Sequence, residues 1–146
     1  MKRGVHFVVL AIMSIAVVAT VLAGLSLVGS PATARTRRID QERLEDMRRI
    51  ARVVDELCHD KDLKTGLKRP LPKTLDDLAG LARTEKIRVA DPVSDEPYSY
   101  KVSGTKYTIS AIFENERDLD FRVFWNHPAG KASFTIDALD PPASIR

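Results

Sequence analysis

Hydrophobic positions along this chain fall into three regimes. From Val5 to Val28 nearly every position is apolar (VHFVVLAIMSIAVVATVLAGLSLV), with Lys2-Arg3 before the run and no charge after it until Arg35. As a helix, these 24 residues reach about 36 Å, enough to cross a bilayer core of about 30 Å with some tilt. The pattern predicts a transmembrane anchor over residues 1–30, meeting the lipid bilayer through residues 5–28. A cleaved secretory signal is the competing reading, since Lys2-Arg3 makes a basic start and Ala32-Thr33-Ala34 fits an A-x-A cleavage site. The run is longer than the roughly 7–15 apolar residues of a signal peptide, which favours an uncleaved signal-anchor.

The second regime has a helical period. Gly29-Ser30-Pro31 punctuates the end of the span, and Pro31 either kinks the helix or opens a new one at its first turn. From about Arg35 to Asp62, Leu44, Met47, Ala51, Val54 and Leu57-Cys58 recur at spacings of three and four, with Ile50 and Val53 widening the stripe. On the other face Arg38–Glu42, Glu45–Arg49 and Arg52–Glu56 are spaced i,i+4 and add a few tenths of a kcal/mol each. Residues 31–69 therefore read as a juxtamembrane amphipathic helix, with Gly66 as its stop signal. Arg69-Pro70-Leu71-Pro72 is extended, because pre-proline residues avoid the helical region. Thr74 then caps a short helix, with Asp77 completing a weak capping box and Leu75, Leu78, Leu81 and Ala82 along one side.

Beyond Ile87 the period becomes two. Tyr98–Val102 and Tyr107–Phe113 alternate about Ser103-Gly104-Thr105-Lys106, where Gly104 supplies the positive φ of a tight hairpin. Phe121–Trp125 reads as a third strand and Ser133–Ile136 as a fourth, with Pro141-Pro142 closing the structured part. The expected class is α+β: an N-terminal transmembrane helix, then a long amphipathic helix packed on a small antiparallel meander. Residues 70–142 join residues 35–69 in one domain, and residues 143–146 form a tail.

Charge alters this picture only once it is divided. The chain is +3 with an isoelectric point near 9.1, yet from Arg35 onward 21 basic residues face 20 acids. With no basic run interleaved with aromatics, nothing predicts nucleic-acid binding. Residues 35–52 carry seven arginines against four acids, and residues 91–120 three basic groups against seven acids. The arginines are either lipid-phosphate contacts, at about 1 kcal/mol each, or part of a solvated helix face. Cys58 is the sole cysteine, so no intrachain disulfide exists and no cysteine cluster holds zinc. Its apolar surroundings predict buried filler.

Candidate chemistry is sparse. No G-x-S-x-G, H-E-x-x-H, P-loop or G-x-G-x-x-G pattern occurs, and the chain reads as non-enzymatic and without cofactors. His6 lies in the apolar run, His59 at the end of the long helix beside Asp60 and Asp62, and His127 in a loop, packed beside Trp125. Glu114, Glu116, Asp118 and Asp120 alternate between the expected second and third strands. They are weak metal candidates: calcium takes about 6–8 oxygens, but no glycine allows a sharp turn and Arg117 opposes a cation. A solvated connection is the preferred reading.

Three segments carry a resemblance: Leu71-Pro72-Lys73-Thr74-Leu75-Asp76-Asp77-Leu78 (L-P-x-T-L-x-x-L), Asp91 to Tyr100 (D-P-x-x-x-x-P-Y-x-Y), and Trp125 to Pro141 (W-x-H-x-A-G-K … F-x-I-D-x-x-D-P). With the N-terminal span and long helix, the first two resemble the major pseudopilin of type II secretion. The last resembles uncharacterised bacterial single-pass membrane proteins that share this pilin-like module. The resemblance implies a pilin-like fold, a bacterial inner-membrane location with the domain outside the cytoplasm, and protein partners in the cell envelope. A membrane-tethered module for a ligand or the cell wall, lined by Tyr98, Tyr100, Phe121 or Trp125, is the alternative.

Asp91 is expected to bond to turn amides while Pro92 and Pro97 fix φ, a device for starting a strand. The chain departs from the pseudopilin pattern in having Val9, not Glu, at the fifth position after Gly4. It also lacks a glycine-rich calcium loop, and has Ser110 and Ser133 near positions where the related anchored proteins carry cysteines. These departures predict an amino terminus left unprocessed at Gly4 and no filament formation. Lys2 and Arg3 against Arg35, Arg37, Arg38 and Arg43 favour a cytoplasmic domain by the positive-inside rule. Long domains cross largely regardless of charge, so the outside placement is retained.

Overall fold

The computed structural model describes residues 2–28, 31–58, 66–82, 86–119 and 123–145. It is α+β: helices α1 (Lys2–Val28), α2 (Pro31–Cys58) and α3 (Leu75–Leu81), and strands β1 (Ser99–Ser103), β2 (Lys106–Phe113) and β3 (Gly130–Asp137). Two compact units divide it, Met1–Arg35 and Thr36–Arg146.

In the first unit, His6–Gly24 forms a stretch of 19 residues with mean hydropathy 2.6 and nothing buried. That is long and apolar enough to cross a membrane, and compatible with a transmembrane or signal-anchor segment.

The second unit is built on α2 from Thr36 onward. Pro31 stands at its first position, where the missing N–H costs nothing. Leu44, Met47, Ile50, Ala51, Val53, Val54 and Cys58 are all buried, as the apolar spacing requires. Arg38 and Glu42 pair at 3.3 Å on the exposed side. The helix is described to Cys58, so the stretch to Asp62 and the His59, Asp60 and Asp62 group lie outside the described residues. Gly66–Arg69 are not helical, which shortens the helix expected over 31–69.

Thr74 caps α3 through a full capping box, its hydroxyl accepting from Asp77 N–H while the Asp77 carboxylate accepts from Thr74 N–H. Leu75 and Leu78 are buried, whereas Leu81 is exposed. Ala82 packs against the core as expected, and Ala79, one turn beyond Leu75, joins it in place of Leu81.

The sheet is antiparallel, in the order β1-β2-β3. Gly104 has φ 62°, and the hairpin closes on the Ser103–Lys106 pair. Tyr107, Ile109, Ala111 and Phe113 on β2, with Ala132, Phe134 and Ile136 on β3, are buried in one core with the α2 stripe. The outer face carries Ser, Thr and Lys, with Asp137 and the exposed Ile112.

Two expectations are corrected. The strand expected over Phe121–Trp125 is, where described, a 3-10 turn at Val123–Trp125. Asn126 explains it: its side chain accepts from Leu119 N–H and donates to Leu119 C=O and Asp118, folding the segment back on itself. Trp125 thereby enters the core against Phe134, at 4.9 Å between ring centroids. The strand expected fourth is therefore the third, and longer. The chain also stays packed beyond Pro142, because Ile145 is buried and its N–H bonds to Pro142 C=O.

Candidate functional site

The polar chemistry of the second unit concentrates on one row of α2. Asp40, Arg43 and Asp46 follow at intervals of three, and all three are buried. Each side chain reaches a different part of the chain.

Asp40 takes the end of β2. Its carboxylate accepts from the amides of Glu114 (3.0 Å) and Asn115 (2.8 Å) and from the Asn115 side chain (2.8 Å). Burial pushes this carboxyl up, but those hydrogen bonds and Arg43 outweigh it and hold it below the usual carboxylate range. Arg43 donates to Asp40 at 3.0 Å and to Asp91 through Nε at 2.6 Å and through a terminal nitrogen at 3.3 Å. Asp46 accepts from the Tyr98 hydroxyl at 2.9 Å. Burial raises the Asp46 carboxyl and, together with the nearby Asp46 charge, raises Tyr98 far more, so the phenol stays a donor.

Asp91 is the centre of the loop before β1. Besides Arg43 it accepts from the amides of Val93 (2.9 Å) and Ser94 (3.0 Å), as expected for a turn-forming aspartate. Burial opposes its ionisation, yet Arg43 and the two amides lower its carboxyl to about 2. Asp95 adopts φ 59°, and Ala90 pairs with Pro97, closing the loop on itself. Arg43, counted among arginines free to meet lipid phosphate, is buried between two carboxylates, and that reading is corrected for it.

Beside this seam lies a cavity of 380 Å³ whose lining includes Arg43, Asp91, Tyr98, Ser110, Ile112 and Lys131. Of the four aromatics proposed to line a pocket, Tyr98 does so. Tyr100 faces the core, its hydroxyl without a hydrogen bond and pushed by burial up to about 12. Trp125 is wholly buried, and Phe121 lies outside the described residues. Most of the cavity wall is apolar, with Pro97, Ala111 and Ile112 in it, and its arginine, its Asp91 carboxylate and its phenol are already engaged.

The acidic segment does not converge. Glu114 is half exposed, Asp118 is bound by Asn126, Arg117 pairs its backbone with His127, and Asp120 lies outside the described residues. Among the described residues, no three carboxylates, histidines or cysteines stand together as a metal would require. His127 stacks on Phe113 at 3.7 Å, a closer partner than the Trp125 expected. Burial lowers its pKa against the opposing pull of the Asp40 charge, and Nδ1 lies 3.1 Å from Pro128 C=O, with no carboxylate hydrogen-bonded to the ring among the described residues. Cys58 is buried, and burial raises its thiol pKa.

Sequence reasoning missed the Asp40–Arg43–Asp91 bridge. The available signal was the i,i+3 pair Asp40/Arg43 on the edge of the apolar stripe. Ser110 and Ser133 are direct cross-strand partners, with hydroxyls 2.8 Å apart. No protein-family model, curated protein or solved structure matches this chain.

Proposed function

We propose that this chain is a non-enzymatic, single-pass envelope protein of the bacterial inner membrane. Residues 5–28 lie in the lipid, and a pilin-like α+β domain outside the cytoplasm serves as a structural or interaction component. The observation that carries this reading is the pairing of a fully exposed apolar helix with a domain whose buried ionisable groups brace α2 against the sheet and loops. Their partners are side chains and amides of the same chain, as in a structural ion-pair network, and that supports a brace in preference to a catalytic group. Kinship with the pseudopilin of type II secretion is part of the proposal, without filament formation: Val9 provides no carboxylate for a neighbouring subunit's amino group.

Protease shaving of spheroplasts tests the placement. The domain is expected to be digested while α1 stays with the membrane, and a protected domain would reverse the topology. Intact-mass analysis tests processing, with a chain starting at Val5 counting for a working pseudopilin.

The 380 Å³ cavity favours a second reading, a tethered module for a ligand or the cell wall. Binding of the full chain to isolated cell-wall sacculi, lost in Lys131→Ala, would select it.

A further inference from the structure

We infer that the free edge of β3 pairs with the β3 edge of a second copy of this chain, antiparallel and centred on Phe134. The first step is which backbone groups are free. Ser103 and Lys106 close a two-residue hairpin, which makes them a hydrogen-bonded pair. Alternation then gives Lys106, Thr108 and Ser110 to β1, and Tyr107, Ile109, Ala111 and Phe113 to Ile136, Phe134, Ala132 and Gly130 of β3. The backbone of Lys131, Ser133, Thr135 and Asp137 therefore points away from the sheet, the Asp137 carbonyl alone already accepting from Asp140 N–H at 3.1 Å. No described residue bonds to the outward amides of Lys131, Ser133 or Thr135.

Natural edges are usually blunted by prolines, bulges, charged side chains (lysine above all) or short length, and of these this edge carries only the charges Lys131 and Asp137. This one is eight residues long, regular and free of proline. It is also self-complementary. A two-fold centred on Phe134 sets Lys131 opposite the partner's Asp137 twice, and Ser133 opposite the partner's Thr135 twice. All of these are outward-bonding positions, as antiparallel pairing demands. A slip by two residues puts Lys131 against Thr135 or Leu139 and loses both charge pairs, so one register is selected. The β1 edge is a poorer partner, because it has five residues and a two-fold centred on its Lys101 sets like charges together.

Edge pairing alone buries little surface, but copies held in one membrane meet at a raised effective concentration. The inference rests on the proposed anchoring for that and deepens it by naming the partner.

In the test, full-length Ser133→Cys and Thr135→Cys chains with different tags are co-expressed and membranes are oxidised with copper phenanthroline. Native Cys58 is buried, and the tagged parent chain without an introduced cysteine serves as the blank. The mixed dimer is expected at several times the yield of either chain alone. Lys131→Glu in the first chain should lower it about fivefold, by turning one cross-strand attraction into repulsion. Asp137→Lys in the second should restore it. Asp137 also accepts from Leu139 N–H, so Asp137→Asn, which keeps an acceptor, gives a partial restoration if the lysine variant does not accumulate. Mixed yield no higher than the single chains, indifference to Lys131→Glu, restoration by neither variant, or adducts to other proteins in place of the dimer would each overturn the inference. Shaving reports the side of the membrane and oxidation reports the surface, so a mixed dimer from a protease-protected domain sinks the topology and leaves the pairing standing.

Discussion

Helices α1 and α2 have almost the same length, 27 and 28 residues, and satisfy their side chains in opposite ways. Every described side chain of α1 from His6 to Gly24 is exposed, and nearly all are apolar. Lipid is the solvent that suits such a surface, because each backbone group is already bonded within the helix and the side chains need only a hydrocarbon neighbour. α2 buries ten residues, three of them charged. It draws its environment from its own chain, with an apolar stripe under the sheet and a polar row that ties two distant loops to it. A uniform pattern thus needs no particular partner, whereas a mixed one needs specific ones.

The sharpest way to break α2 is at its polar row. Arg43→Ala leaves the buried Asp40 and the half-buried Asp91 without their cation and should cost about 3 kcal/mol, read by denaturant unfolding of the full chain in detergent. Arg38→Ala, on the same helix but exposed, should cost less than about 0.5 kcal/mol. Equal effects would erase the distinction between the two faces.

On α1 the corresponding test is Val17→Arg. With this helix in lipid, an arginine at its middle costs about 3 kcal/mol of insertion, seen as loss of the chain from the carbonate-washed membrane fraction. Val93→Arg, at an exposed position of the second unit, should leave membrane recovery unchanged.

Acid should loosen the α2 seam in a defined window. The folded Asp91 carboxyl is lowered from 3.8 to about 2, so the bridge contributes its full share above about pH 4 and loses it as pH falls through about 2. That share is about 2 kcal/mol. Asp40 is lowered too and has the same sign. Asp46 is raised, so its contribution has the reverse sign, present at low pH and lost as pH rises through its folded value. Unfolding free energy should therefore drop between about pH 4 and 2, less steeply in Asp91→Asn.

The smallest effect concerns the hairpin. A Cβ at Gly104 meets no atom within 4 Å, so the penalty for Gly104→Val is purely conformational at φ 62° and should exceed about 1 kcal/mol. Lys106→Ala should change almost nothing, in the same melts.

Much of the fold was legible because it depends on local rules. The α2 stripe, the Thr74 cap, the Gly104 turn and the Asp91 amide bonds each follow from residues close in sequence. The strand expected at Phe121–Trp125 is a 3-10 turn where described, for a non-local reason in part: Val123-Phe124-Trp125 is an apolar triplet with no period, and Phe134 gives Trp125 its burial. The edge proposed to pair was visible as a strand, but not as the outermost one until the order β1-β2-β3 was known.

By itself, then, the sequence determined an apolar helix fit for a membrane, an amphipathic helix, a short capped helix and a hairpin. Periodicity and turn chemistry act within a few residues, where composition alone carries the energy difference. Only the tertiary structure decided that Arg43 is a brace, not a lipid contact, because Asp91 lies 48 positions away. It likewise placed Tyr98 on Asp46, His127 on Phe113, and Ile145 in the core. Those pairings join residues that no local pattern relates, and their energy exists only once chain closure has brought buried charges and rings together.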